Sequence, residues 1–480
     1  MLVASLGFLL TGQSVASLEA AVKRHPMAAN VRALADAYVA AGQYQKASEA
    51  FSRAAAMYGK MGDPNAAKVL SGYSDRYRTS IGLFVDRPVS GDKNGLAKFE
   101  PLAGCYLGAN IERDDETRDP AQFNERIGKH HAIFFMYRKY GVEFPKEYAR
   151  TLREARCALQ LAFEPSNLDE VQDDRYLRGF AEDARQSGIP VFLRYASEMN
   201  GDWTPYHGDP AKYIQKFRLV AKVMRETAPN VAMVWCPNEI PQEPIASYYP
   251  GPDAVDWVGV NFYSVIFNDA DRSRGAEWRR PEDALDYIYK RYSGRHPIMV
   301  GEWAASHRSV VDNKERPDFA ANKIAEFYSS IPRIYPRVKA VSWLSFDTFK
   351  YAGQGRQLND YSLFNNPKVA EAYSAAVDQP YYLDEVRESA SAASRPSSVG
   401  PSSRLEAQDL VSAYMRSYEH SPLTTFYLDK APIAKFYGAG DCEFHLPRWC
   451  PLGLHALRVE VRDTAGRLAG SANVPVFIGK

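Results

Sequence analysis

Pro190–Asn200 reads PVFLRYASEMN, and Pro297–Ala304 reads PIMVGEWA. In both, a short, nearly continuous apolar run opens on a proline and stops at polar residues, Ser197-Glu198-Met199-Asn200 in the first and Gly301-Glu302-Trp303 in the second. A run of this length without alternation reads as a strand covered on both faces, as in a parallel sheet. Six further runs of the same texture surround these two: LAGCYLGAN from Leu102, HAIFFMYRKY from His131, CALQLAFEP from Cys157, VAMVWCPN from Val231, VDWVGVNFYS from Val255 and AVSWLSFDTF from Ala340. Helix-length segments such as DDRYLRGFAEDARQSG and PAKYIQKFRLVAKVMRETA separate them. Eight such repeats predict an α/β chain built on a (β/α)8 TIM barrel over residues 98–380. No GxGxxG follows any run, which argues against an open nucleotide-binding sheet.

The remaining sequence divides on either side. With 480 residues the chain is too long for one barrel of about 250. Residues 17–90 are Ala-rich with helical periodicity, and Ala33-Leu34, Tyr38, Gly42, Tyr44, Ala47, Phe51 and Ala54 fall at the spacing of two helices joined by a turn. This pattern resembles a tetratricopeptide repeat over about one 34-residue unit, and it predicts an N-terminal α-helical repeat segment that docks on its neighbours or binds a protein partner. ESASAASRPSSVGPSSR from Glu388 reads as a flexible linker, residues 386–405, and the alternation across residues 406–480 predicts a small C-terminal β-sandwich. The apolar stretch from Leu2 to Leu10, with a small-residue exit at Ser14-Val15-Ala16, reads as a signal segment over residues 1–16 and implies export to periplasm or medium; without that signal the chain is cytoplasmic.

Lys and Arg number 59 against 58 Asp and Glu, so no basic surplus supports nucleic-acid binding. The longest apolar runs fall short of the roughly 18 residues of a membrane span. Five cysteines in no CxxC spacing give no zinc motif, and no cofactor is expected; Cys442 and Cys450 suit a single disulfide if the chain is exported. Aromatic residues make up 12% of the chain, which suits either cores or the stacking of sugar rings.

Active sites of (β/α)8 barrels lie at the C-terminal ends of the strands, so the polar residues that close each run carry the functional reading. They are Glu198 and Asn200 on the fourth strand, Asn238 after the fifth, Asn261 and Tyr263 on the sixth, Glu302 and Trp303 on the seventh and Trp343 on the eighth. Two glutamates three strands apart on one rim fit glycoside cleavage, where one carboxyl protonates the leaving oxygen and a second, about 5–5.5 Å away, attacks the anomeric carbon. Trp203, Tyr206, Trp235 and Trp303 are candidate stacking platforms for successive sugars, with core packing as the alternative. His130 and His131 read as structural, and His207 and His307 as rim residues.

RYASEMNGDW from Arg194, VWCPN from Val234, YYPGPDAVDWVGVNFY from Tyr248 and VGEWA from Val300 together resemble glycoside hydrolase family 26 of clan A, best known for endo-β-1,4-mannanases. The resemblance runs from roughly Phe99 to Val377. It implies an endo-acting hydrolase of β-linked polysaccharide, with Glu198 as acid/base and Glu302 as nucleophile. It also implies that Tyr263 hydrogen-bonds the nucleophile and that Trp343 lies under the sugar at the cleavage point. Ser197 stands where family members commonly carry His. That departure leaves the sugar open, and Arg194 can offer donors to hydroxyls or to a carboxylate, so a uronic acid or a decorated exopolysaccharide joins mannan among the expected substrates. Two rival readings are a carbohydrate-binding scaffold without catalysis and an intracellular adaptor acting through its helical repeat.

Overall fold

Eight parallel strands follow one another around a closed barrel: β1 (Cys105–Asn110), β2 (Ile133–Lys139), β3 (Ala158–Glu164), β4 (Val191–Tyr195), β5 (Val231–Trp235), β6 (Trp257–Asn261), β7 (Ile298–Trp303) and β8 (Val338–Leu344). The structure is a computed structural model, and it describes residues 14–91, 95–114, 116–387, 390–419, 421–438 and 442–479. Closure comes from β8 pairing with β1, Ala340 opposite Tyr106 through Leu344 opposite Asn110. The (β/α)8 expectation is met by the unit Asp86–Ser397.

Local chemistry sets the helices between the strands. Asp119, Asp174 and Asp209 cap the helices Pro120–Ile127, Arg175–Ser187 and Pro210–Thr227 through their side chains, and Pro fills the first turn of the first and third. Gly188, at φ 68°, ends the second in the left-handed conformation that glycine adopts without strain. Between β5 and β6 there is only the short 3-10 turn Ile245–Tyr248. Pro241, Pro244, Pro250 and Pro252 leave no room for a longer helix there.

Strand alternation divides the side chains between two cores. Tyr106, Ile133, Ala158, Phe192, Ala232, Val234, Cys236, Trp257, Met299 and Ala340 pack together inside the barrel, where Trp257 donates to the Lys98 carbonyl at 2.7 Å. Their neighbours, such as Leu159, Leu161, Tyr195, Trp235, Val258 and Trp343, face the helices in a second cluster. Register is irregular at two places that matter for the site, between Val260 and Asn261 where β6 meets β7, and between Val341 and Trp343 where β8 meets β7. A bulge of this kind re-aims side chains at the end of a strand.

The other unit joins both ends of the chain, Met1–Val85 and Ser398–Lys480. Helices Val15–Arg24, Ala28–Ala40, Tyr44–Lys60 and Pro64–Tyr77 occupy the N-terminal part. Ala47 and Ala54 are fully buried between them, and Gly42 makes the turn at φ 64°. The signal reading of residues 1–16 falls almost wholly outside the described residues; Val15 already opens a helix. Residues 80–88, read with the helical segment, form a strand, and Ser80–Val85 pairs antiparallel with Val411–Arg416. Leu83, Val85, Val411 and Ala413 then share one core with Leu405, Phe426, Leu457 and Val459 of a five-stranded sheet, which makes the sandwich. Cys442 and Cys450 are buried in that same core. Tyr44 stacks on Tyr77 at 5.7 Å, Tyr418 meets both edge-on at 4.7 and 4.8 Å, and Arg467 donates to the Gly42 carbonyl, so helices and sandwich pack together within this unit. Part of the expected linker is ordered pairing instead, with Ser403–Glu406 running parallel to Val476–Gly479. The composition predicted extended backbone, and neighbouring strands satisfy its peptide groups.

Candidate active site

Glu302 ends β7 inside the barrel rim and is buried, at 4% exposure. Arg194 from β4 donates to its Oε1, while its Oε2 accepts from the Tyr137 hydroxyl at 2.8 Å and the Tyr263 hydroxyl at 2.6 Å. All three partners donate, the arrangement suited to an acceptor-only carboxylate. Burial and the Glu302 charge hold both phenols well above their ordinary range, so they stay donors. Arg194 lies over the ring of Phe135 at 4.7 Å and is fully enclosed.

Glu198 is presented by a turn that leaves β4. Ala196 and Glu198 have φ of 47° and 62°, left-handed values that cost a non-glycine residue about 1–3 kcal/mol. The turn is held by backbone bonds from Ala196 to the Phe163 carbonyl at 3.0 Å and from Glu198 to the Cys236 carbonyl at 2.8 Å. Its Oε1 accepts from Asn261 at 2.8 Å and its Oε2 from the Trp203 indole at 2.7 Å. Burial, followed by the charge of Glu302, raises its carboxyl above the usual range, while the Asn261, Trp203 and Asn238 side chains oppose the rise. Asn261 also stands opposite Glu302 in the β6–β7 register, so backbone pairing of these strands sets the donor to Glu198 beside Glu302.

Gly301 shows how tightly this is built. A Cβ there would lie 2.8 Å from Asn261 Oδ1, 2.9 Å from Arg194 Nη1 and 3.1 Å from Cys236 Sγ. Below it, Gln160 from β3 donates to the Gly301 carbonyl at 2.8 Å and accepts from Ser342 on β8 at 2.8 Å.

The structure brings together Glu198, Glu302, Arg194, Tyr263 and Trp203, and it moves several expected sugar contacts elsewhere. Trp235, Trp303 and Trp343 are fully buried. Trp235 packs on Tyr249 and Tyr292, Trp303 on Phe327 at 4.2 Å, and Trp343 on Trp303 and Tyr373 while donating to the Tyr361 carbonyl at 3.2 Å. Alternation turns these three rings outward to the helices, so none offers a face to a sugar. Tyr206 is buried and donates to the Ser197 carbonyl at 2.6 Å. Arg194 is fully buried and bonded to Glu302. Asn200 braces the rim, donating to the Asn238 and Pro241 carbonyls at 2.9 Å and accepting from the Asn238 amide. Exposed ring surface is left on Trp203 and Tyr137, each at 41%.

Tyr137, and Asn261 as the partner of Glu198, were not singled out from the sequence. Tyr137 lies two residues after Phe135 in HAIFFMYRKY, so period-2 counting along β2 would have aimed it inward. His131 is buried against Asn124 and Tyr373, His207 bonds the Thr204 carbonyl, and His307 is buried between Glu315 and Asp360; among the described residues none of the three is bonded to Glu198 or Glu302. Among the described residues no group of three or more His, Cys, Asp or Glu is placed to hold a metal ion, and no helix is long and apolar enough to cross a membrane.

Residues 168–277 match the model of Glycosyl hydrolase family 26, a segment that includes Glu198, Asn261 and Tyr263 and stops short of Glu302. Endoglucanase H of Acetivibrio thermocellus is 24% identical over 306 residues, covering 59% of this chain and 32% of that protein. A β-1,3-xylanase, TXYA, of a Vibrio species is 36% identical over 117 residues, covering 23% of this chain and 25% of that protein. The chain thus matches about a third or less of the length of these curated relatives. Among solved structures, a Cellulomonas fimi endo-β-1,4-mannanase double mutant aligns with a TM-score of 0.44 and 14% identity, over 80% of this chain and 98% of that one. Over residues 168–277 the closed barrel of this chain is thus similar in sequence to glycosyl hydrolase family 26.

Proposed function

We propose that the barrel hydrolyses β-linked polysaccharide internally and with retention, Glu302 acting as nucleophile and Glu198 as acid and then base. The observation that carries this reading is the opposite setting of two neighbouring carboxyls. Glu302 is surrounded by donors from Arg194, Tyr137 and Tyr263, while Glu198 is raised by burial and by the charge of Glu302. In the first half-reaction Glu302 attacks the anomeric carbon, the glycosidic C–O bond breaks, and the Glu198 proton goes to the leaving oxygen. Esterification removes the Glu302 charge and with it one cause of the raised Glu198, which then takes a proton from the water that releases the sugar. Trp203 and Tyr137 supply the exposed rings for stacking.

The relatives named for endoglucanase and β-1,3-xylanase activity choose the substrates to try: β-1,4 and mixed-linkage glucan, β-1,3-xylan and β-1,4-mannan. Wild-type protein should lower the viscosity of one of them and release product with the anomeric configuration of the substrate by NMR. Glu302→Ala and Glu198→Ala should each lose the activity, and azide should restore turnover to Glu198→Ala, as a glycosyl azide, on an aryl glycoside whose phenolate leaves without an acid. Inverted product, or full activity in either variant, overturns the assignment.

A further inference from the structure

The barrel rim holds another carboxyl, close enough to feel the charges of Glu302 and Glu198, that the chemistry above does not use. Glu164 is the last residue of β3, and the strand's alternation fixes its direction. Gln160 points inward to Gly301 and Ser342, whereas Phe163 points outward and stacks on Phe180 at 4.4 Å. Glu164 therefore shares the inward face with Gln160 and Ala162, and Ala162 stands opposite Arg194 in the β3–β4 register. Its side chain is only partly exposed, yet among the described residues it takes no hydrogen bond or ion pair. Lys139, its register partner on β2, is exposed and not paired with it. Burial pushes the carboxyl up to about 7; the Arg194 guanidinium opposes that rise, and the charges of Glu302 and Glu198 add to it. Arg194 is itself bonded to Glu302.

A partly buried carboxyl that no protein donor meets is free to accept donors from a ligand. Both of its oxygens can accept, which matches the adjacent hydroxyls of a sugar ring. With Glu302 and Glu198 beside it, an acidic sugar placed there would meet carboxyls from three strands, while the Arg194 guanidinium is already bonded to Glu302. We propose that Glu164 is a substrate-binding residue that accepts hydrogen bonds from hydroxyls of a neutral sugar ring at the cleavage site and disfavours acidic sugars. This inference rests on the glycosidase reading above.

The test uses full-length protein and the neutral glycan that the wild type cleaves best, with a glucuronic-acid-containing glycan of the same backbone as the second substrate. Glu164→Ala should raise KM on the neutral glycan by about tenfold with a smaller change in kcat, the size expected for losing hydrogen bonds to a carboxyl. Glu164→Gln, which keeps shape and one acceptor, should fall between Ala and wild type, and should improve the ratio of acidic to neutral glycan cleaved. KM within twofold of wild type in both variants, with the acidic-to-neutral ratio unchanged, overturns the role of Glu164 while leaving the hydrolase reading intact. A wild-type protein that cleaves no glycan removes that reading, and this proposal with it.

Discussion

Replacing Trp203 by Phe isolates one hydrogen bond on the residue assigned as acid. The substitution keeps an aromatic ring at the rim and takes away only the indole N–H that reaches Glu198 Oε2 at 2.7 Å. That N–H favours the charged carboxylate, so its loss moves Glu198 further in the direction that burial and Glu302 already push it. A hydrogen bond to a charged group is worth about 1.5–3 kcal/mol, and one pKa unit is about 1.4 kcal/mol. Trp203 is 41% exposed, so water replaces part of the bond and the loss should lie at the lower end of that range, about 1.5 kcal/mol. Asn261 is 1% exposed and its bond to Oε1 is 2.8 Å, so Asn261→Leu should raise Glu198 by more than Trp203→Phe does. The assay is the pH dependence of kcat/KM on the best substrate. Glu198 must be protonated to act first, so its titration forms the alkaline limb, and both variants should move that limb upward, Asn261→Leu by more. A limb that stays in place or moves down in both variants would refute Glu198 as the acid held by these two donors.

Other expectations follow from the same geometry. Tyr137→Phe removes one of two hydroxyls on Glu302 Oε2, and because Tyr263 shares that oxygen, the activity losses of Tyr137→Phe and Tyr263→Phe should not add in the double variant; additive losses would show that the two act separately. Trp343→Phe leaves the Tyr361 carbonyl without its donor and should cost about 1–3 kcal/mol in urea unfolding, with KM unchanged. A tenfold higher KM with unaltered stability would return Trp343 to the sugar. Gly301→Ala forces Asn261 and Arg194 apart, and misplacing both carboxyl partners should lower kcat on the order of 100-fold, read by initial rates on protein whose circular dichroism is unchanged. Glu164 is raised from 4.5 to about 7 in the folded chain, so the stability linked to it is complete below about pH 4.5 and is lost as pH rises through 7. The unfolding free energy of wild type relative to Glu164→Gln should therefore fall by up to about 3 kcal/mol between about pH 5 and 8, and a flat difference would contradict the raised value.

Much of this was legible in the amino acids alone. Near-continuous apolar runs such as PVFLRY and PIMVG can be buried on both faces only in a parallel sheet wrapped by helices, and eight of them determine the closed barrel. A glutamate at the end of a run is carried to the rim by the chain direction, so Glu198 and Glu302 could be picked out before any contact was known. Alternation counted one residue at a time was harder to apply, because the irregular β6–β7 register turns Glu302 inward and its neighbour Trp303 outward. The same facing hid Trp235 and Trp343 among the helices, although a tryptophan beside a glutamate reads as a platform in one dimension. Tyr137 and Arg194 come from strands far from Glu302 in sequence, and only closure of the barrel sets them on its two oxygens. The strand Ser80–Pro88 likewise shows no sign of its partner until Val411–Arg416 comes beside it. The sequence by itself determined which elements form and which end of each strand carries carboxylates, since burial and period act locally. The tertiary structure decided which donors meet each carboxylate, which rings stay exposed, and which carboxyl remains unpaired, because those depend on register between strands distant in the chain.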